Sequence, residues 1–118
     1  MVTFGLSKET IGKINGIFHK YPVIERILIY GCRAKGTFCP SSDIDLTLMG
    51  DQIDLSIQYA IENDLDDLLL PYKFDLSVFK KIDNPDFIEH INRVGKEFYL
   101  RRHDEYGGNQ IRFAGITR

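Results

Sequence analysis

A chain of 118 residues can bury one modest core and has no room for a catalytic domain plus a separate substrate-binding domain. Its 43% hydrophobic and 27% charged residues are ordinary globular proportions, so one folded domain is expected. A net charge of −2, from 15 Lys and Arg against 17 Asp and Glu, lacks the basic excess that holds a stand-alone nucleic-acid binder to phosphates, and such binding is not expected of this chain alone.

The N-terminus, Met1-Val2-Thr3-Phe4-Gly5, shows no basic region followed by an apolar core, and no apolar run reaches the roughly 18–20 residues that cross a bilayer. No signal peptide and no membrane association are expected, and a cytoplasmic location follows. Ser7 suits a helix N-cap, and after it Ile11, Ile14, Phe18 and Tyr21 recur at helical spacing until Pro22 stops the helix. Arg26–Tyr30 is a short aliphatic and β-branched run that reads as a buried strand ended by Gly31. Arg33 to Lys35 has the length of one helical turn, and Gly36 with Pro40-Ser41-Ser42 marks a loop. That loop also holds both cysteines, Cys32 and Cys39, expected as reduced thiols. His19, His90 and His103 have no zinc-like spacing.

Asp43–Met49 alternates, with Ile44, Leu46 and Leu48 on one face and Asp43, Asp45 and Thr47 on the other. Ile53, Ile57, Ile61, Leu65 and Leu68 trace an amphipathic helix with an acidic outer face, closed by Pro71. Lys73–Phe79 alternates again, Phe74, Leu76 and Val78 opposite Asp75, Ser77 and Phe79. Asn84-Pro85 opens a last helix whose apolar face is Phe87, Ile91, Val94 and Phe98. Residues 1–100 therefore read as the domain and 101–118 as a polar, glycine-containing tail, flexible or in contact with a partner. The first two strands are joined by about a dozen residues, too few for a parallel crossover with its helix. The expected architecture is α/β of the α+β kind: a small antiparallel or mixed sheet with helices packed against it. Apolar helix faces on so small a domain leave homo-oligomer formation open.

The chemistry concentrates in residues 31–45. Asp43 and Asp45 project from one face of a strand with Cα atoms about 6.5–7 Å apart, and two carboxylates so placed repel unless a cation lies between them. Oxygen-only ligands suit Mg²⁺ or Mn²⁺. Asp75 lies mid-strand, where aspartate is disfavoured, and joins the same face if its strand is a neighbour. Gly31 lets the backbone approach a phosphate, the turn from Cys32 offers N–H groups, Arg33 suits bidentate phosphate contact, and Lys35 adds a point charge. Metal ligands beside phosphate-binding groups point to nucleotidyl transfer from a nucleoside triphosphate.

Gly31-Cys32, ten residues, then Asp43-Ile44-Asp45 resembles the Gly-Ser-x₁₀-Asp-x-Asp signature of the polymerase-β-type nucleotidyltransferase superfamily, and above all its minimal nucleotidyltransferase (MNT) domains. The resemblance covers residues 7–100. It implies a polymerase-β-like fold, Mg²⁺ at Asp43 and Asp45, Asp75 as third carboxylate, and transfer of a nucleoside monophosphate, by family expectation AMP from ATP, to a hydroxyl. It also implies a small helical HEPN partner, for which MNT chains serve as antitoxin by binding or adenylylation. The chain departs from the signature at Cys32, where the family has serine. A thiol is the weaker donor, so a second reading is a nucleotidyltransferase-fold module that acts by binding a partner. Asp43-x-Asp45-x-Thr47 also matches the nucleophile motif of haloacid-dehalogenase-like phosphatases, but Cys39-Pro40-Ser41-Ser42 stands where that motif needs an apolar strand.

Overall fold

The computed structural model describes residues 2–36 and 43–101. The expectations that fall on the loop from Thr37 to Ser42, on Cys39, and on the tail from residue 102 onward lie outside the described residues.

The chain opens with strands β1 (Val2–Thr3) and β2 (Leu6–Ser7), an antiparallel pair that the sequence pattern did not suggest. Its two-residue loop, Phe4-Gly5, has positive φ at both positions (57° and 77°), the conformation that matches the twist of a tight hairpin. Helix α1 (Lys8–His19) follows at once, with Ser7 Oγ accepting from the Thr10 amide at 3.1 Å. It buries Ile14, Ile17 and Phe18.

Strand β3 (Arg26–Tyr30) leads into the one-turn helix α2 (Cys32–Lys35), then strand β4 (Ile44–Met49), helix α3 (Leu55–Asp67), strand β5 (Phe74–Val78), helix α4 (Pro85–Val94) and strand β6 (Lys96–Leu100). Four strands form a sheet of order β5-β4-β3-β6. β3 is antiparallel to both β4 and β6, while β4 and β5 are parallel and joined through α3. The expected mixed sheet is thus the observed one. It is covered on both faces. Ile27, Ile29, Ile44, Leu46, Leu48, Leu76 and Val78 meet α1 and α3 in the main core. Leu28 and Tyr30 meet α4 through Phe87, Ile91 and Val94. Burial on both faces is why β3 reads as an unbroken apolar run rather than an alternation. No helix among the described residues is long and apolar enough to cross a membrane.

The last helix needs correction. Phe98 continues the spacing of Phe87, Ile91 and Val94, yet α4 ends at Val94 and residues 96–100 form an edge strand. Gly95 adopts an extended conformation (ψ 145°) while its amide still donates to Ile91 O at 2.7 Å, so the chain leaves the helix there. Phe98 then packs on the opposite face of the sheet from α4, against Phe4 and Phe18, with ring centroids 6.0 and 6.5 Å away. A bulge in β6 opposite Ile27 and Leu28 breaks the alternation, and Tyr99 also reaches Phe18.

Two polar contacts tie α1 to the rest. Arg101, first residue of the expected tail, donates from its guanidinium to the carbonyls of Ile24 (2.9 Å), Tyr21 (2.9 Å), His19 (3.2 Å) and Phe18 (3.3 Å). Phe18 and His19 close the last turn of α1, and the positive charge suits that end of the helix dipole. Arg101→Ala is expected to cost about 2–4 kcal/mol in urea unfolding, with Arg101→Lys recovering only part, because one ammonium cannot serve four carbonyls.

Tyr21 donates its hydroxyl to Asp64 Oδ2 at 2.5 Å, and Lys20 Nζ stands 3.2 Å from the same oxygen. The hydrogen bond to Asp64, then burial and the carboxylate charge, push Tyr21 up to about 12. The Tyr21 hydrogen bond, opposed by burial and then aided by Lys20, draws Asp64 below the usual carboxylate range. Tyr21→Phe is expected to cost about 1 kcal/mol at neutral pH, the partly exposed setting limiting the loss. The contribution of Asp64 is present above the ordinary carboxylate pKa and lost as pH falls through its lowered value. That of Tyr21 is present below the ordinary phenol pKa and lost as pH rises through about 12. Urea unfolding of wild type and variant should therefore differ by a constant amount from about pH 5 to 9 and converge beyond either end.

Candidate active site

Hydrogen-bond register brings the acidic residues together. Asp45 pairs with Asp75 in the parallel β4–β5 ladder and with Tyr30 in the antiparallel β3–β4 ladder. Paired residues direct their side chains to the same face, so Asp75, Asp45 and Tyr30 form one row across three strands. Asp43 precedes β4 and is exposed, Asp75 is exposed, and Asp45 is half-buried. The row lies at one end of the sheet, on the face that α4 covers further along. The same face carries no carboxylate on β3, whose contribution to the row is a phenol.

The electrostatics follow from this placement. Burial raises the Asp45 carboxyl above its ordinary pKa, and the charges of Asp75 and then Asp43 raise it further. Burial likewise raises Tyr30; Ser77 pulls it partly back, and Asp75 and Asp45 push it up again. Asp45, with Asp75 and Asp43 both acting on it, belongs to a donor set that a hard divalent cation would relieve. Among the described residues no group of three or more His, Cys, Asp or Glu side chains is gathered closely enough to cage a metal by itself. An ion held here would therefore take its remaining ligands from water or substrate, as Mg²⁺ commonly does. Oxygen donors of this kind fit the ion that the resemblance implies.

Gly31 couples the turn to the acidic row. Its φ of +82° is one that L side chains rarely adopt, and a Cβ there would collide with Asp45 Oδ2. The turn between β3 and α2 is therefore in contact with the central carboxylate. From it α2 rises, the Lys35 amide donating to Gly31 O at 3.3 Å. Lys35 is exposed on that turn.

Arg33 is buried on the inner side of α2. Its side chain is 1% exposed, with Nη1 donating to Phe4 O at 2.9 Å and the guanidinium 5.1 Å from the centre of the Tyr72 ring. It braces α2 against the β1–β2 hairpin and the approach to β5. A weakly hydrated, planar cation tolerates such burial through stacking and hydrogen bonding, which an ammonium does less well. Lys35, on the same turn, faces outward.

Three neighbours of the acidic row were not singled out from the sequence: Tyr30, Thr47 and Ser77. Tyr30 has Phe87 and His90 of α4 edge-on to its ring, at 5.5 and 6.5 Å between centroids. Ser77, whose Oγ is buried without a hydrogen-bond partner, rises from the same face on β5 as Asp75. Alternation already set Thr47 with Asp45 and Ser77 with Asp75; what was missing was the register that assembles them beside Tyr30.

Comparison with known proteins bears on this arrangement. The family model described as polymerase beta, nucleotidyltransferase, matches residues 12–104. Among solved structures, a toxin–antitoxin complex with AMP-PNP is similar at a TM-score of 0.63 and 20% identity, covering 81% of this chain and 77% of the matched one. The toxin–antitoxin pair MntA–HepT is similar at 0.59 and 18% identity, covering 85% and 78%. An MNT antitoxin in complex with tri-AMPylated Shewanella oneidensis HEPN toxin is similar at 0.59 and 17% identity, covering 84% and 76%. At such identities the likeness is one of fold. Comparison with curated protein sequences finds no match.

Proposed function

The chain belongs to the polymerase beta nucleotidyltransferase family, and on that premise we propose that it moves AMP from ATP to a hydroxyl of a helical HEPN-type partner protein, as the antitoxin of a toxin–antitoxin pair. The observation that carries this reading is the Asp75–Asp45 register, with Gly31 against Asp45. It joins an acidic pair to a turn that can admit phosphate. The choice of partner is supported by likeness of fold to toxin–antitoxin complexes, one of them containing an AMPylated HEPN toxin.

Asp43, Asp45 and Asp75 would hold Mg²⁺ or Mn²⁺, which when bound neutralises the triphosphate and polarises the phosphoryl group. The backbone of Gly31 and Cys32 and the ammonium of Lys35 bind the β- and γ-phosphates. Arg33 serves from behind by keeping the turn in place. Asp75, exposed on an edge strand, takes the proton of the acceptor hydroxyl as its oxygen attacks the α-phosphorus, and pyrophosphate leaves in line. Rate enhancement would come from positioning and charge complementarity.

The test is incubation with α-labelled ATP, Mg²⁺ and the product of the adjacent reading frame. Label on that product with release of pyrophosphate is expected, and none with Asp43→Ala. Undiminished labelling by Asp43→Ala, or release of inorganic phosphate in place of pyrophosphate, would refute the mechanism. A second reading rests on Cys32, whose thiol is a weaker donor than the family's hydroxyl: the domain masks its partner without transfer. In that case mixing inhibits the partner while mass spectra show no nucleotide on either chain.

A further inference from the structure

Behind the acidic row lies a second polar row that the transfer chemistry leaves unused. Thr47 pairs with Ser77 in the β4–β5 ladder, one pleat repeat beyond Asp45 and Asp75, so all four side chains rise from one face. Thr47 is wholly buried and its Oγ1 makes no hydrogen bond, and Ser77 Oγ is buried in the same condition. Tyr30 pairs with Asp45 across β3 and β4 and rises from the same face, with Phe87 edge-on to its ring at 5.5 Å between centroids.

A hydroxyl shut away from solvent loses its water partners unless others replace them, and native proteins rarely leave one so. Valine would fill the Thr47 position with no such loss. Two hydroxyls paired across one ladder, with the Asp45 and Asp75 carboxylates one pleat repeat away, are the two to four partners that an internal water needs. We propose that Thr47 and Ser77 hold one internal water behind the acidic row, and that this water donates to Asp45 and Asp75 and so positions their carboxylates. A carboxylate only accepts, so a donor fixed behind it holds its rotamer and keeps the other oxygen aimed outward. The positioning role rests on the transferase reading; the water itself does not.

The two parts separate by experiment. Water-exchange NMR on the wild-type protein should show cross-peaks from Thr47 and Ser77 protons to a long-lived water, and Thr47→Val should lose them. Titration with Mn²⁺ alone, followed by water-proton relaxation, should give a half-saturation about tenfold higher for Thr47→Val, with Thr47→Ser returning it toward wild type. Thr47→Val should still unfold in one cooperative transition well above the titration temperature, so weaker Mn²⁺ binding cannot be ascribed to loss of fold. Absence of the wild-type cross-peaks would overturn the water. Equal Mn²⁺ binding by wild type and Thr47→Val would overturn the positioning role alone. A wild type that holds the water but binds no Mn²⁺ would overturn the transferase reading and the positioning role with it.

Discussion

Asp45→Asn is expected to abolish nucleotidyl transfer, by about a thousandfold or more, and at the same time to raise the melting temperature at neutral pH. The two effects have one cause. Asp45 is half-buried between Asp75 and Asp43, and both burial and its neighbours raise its pKa. A carboxyl whose pKa is higher in the folded than in the unfolded state destabilises the fold when ionised. That penalty is absent below the unfolded value and grows as pH rises through the folded one. Asparagine keeps the shape and removes the charge. The gain in stability should therefore be present at pH 7 and vanish at pH low enough to protonate Asp45 in both states.

Added Mg²⁺ or Mn²⁺ should reverse the order. A cation that binds only the folded protein stabilises it in proportion to occupancy, and the wild type has the stronger site. Thermal melts of both proteins at neutral and acid pH, with and without metal, give four comparisons. A variant that melts below wild type at neutral pH without metal would refute the repulsion argument. Equal stabilisation of both proteins by metal would remove Asp45 from the ligand set.

Gly31→Ala should be the most damaging change outside the carboxylates. Two penalties coincide at that position: a φ of +82°, and a Cβ that would meet Asp45 Oδ2. Together they are expected to cost about 1–3 kcal/mol in urea unfolding. Activity should fall further than stability predicts, because relief of the collision displaces either the turn or the central carboxylate. Asp45→Ala in the same protein removes the oxygen that the new methyl strikes and leaves the backbone strain. The double variant should then be more stable than the sum of the two single changes by about 1 kcal/mol. Strict additivity would mean that the glycine is required for backbone conformation alone.

These predictions depend on contacts that local pattern reveals unevenly. The strands at Arg26–Tyr30, Asp43–Met49 and Lys73–Phe79 were legible because apolar residues alternate or cluster over lengths that only strands use. Caps at Ser7 and Asn84 marked two helix starts, and both side chains accept from the amides expected of them. The end of α4 was not legible. Val94 and Phe98 are four apart, as on a helix, and only packing on opposite faces of the sheet distinguishes them. Arg33 shows the same limit in a charged residue. A cation in a glycine-flanked turn reads as a phosphate ligand, and nothing local records that Phe4 O and the Tyr72 ring wait on the inner side.

The order of residues alone determined that Asp43 and Asp45 share a strand face, that Asp75 projects opposite Phe74 and Leu76, and that a small-residue turn precedes the acidic strand, because each is a matter of periodicity within a few positions. Only the tertiary structure decided that Asp75 stands beside Asp45, that Gly31 touches the central carboxylate and that Tyr30 walls the row. Pairing between β4 and β5 joins segments separated by the whole of α3, and register across that gap is set by the core beneath the sheet, where Leu46 must meet Leu76 and Leu48 must meet Val78.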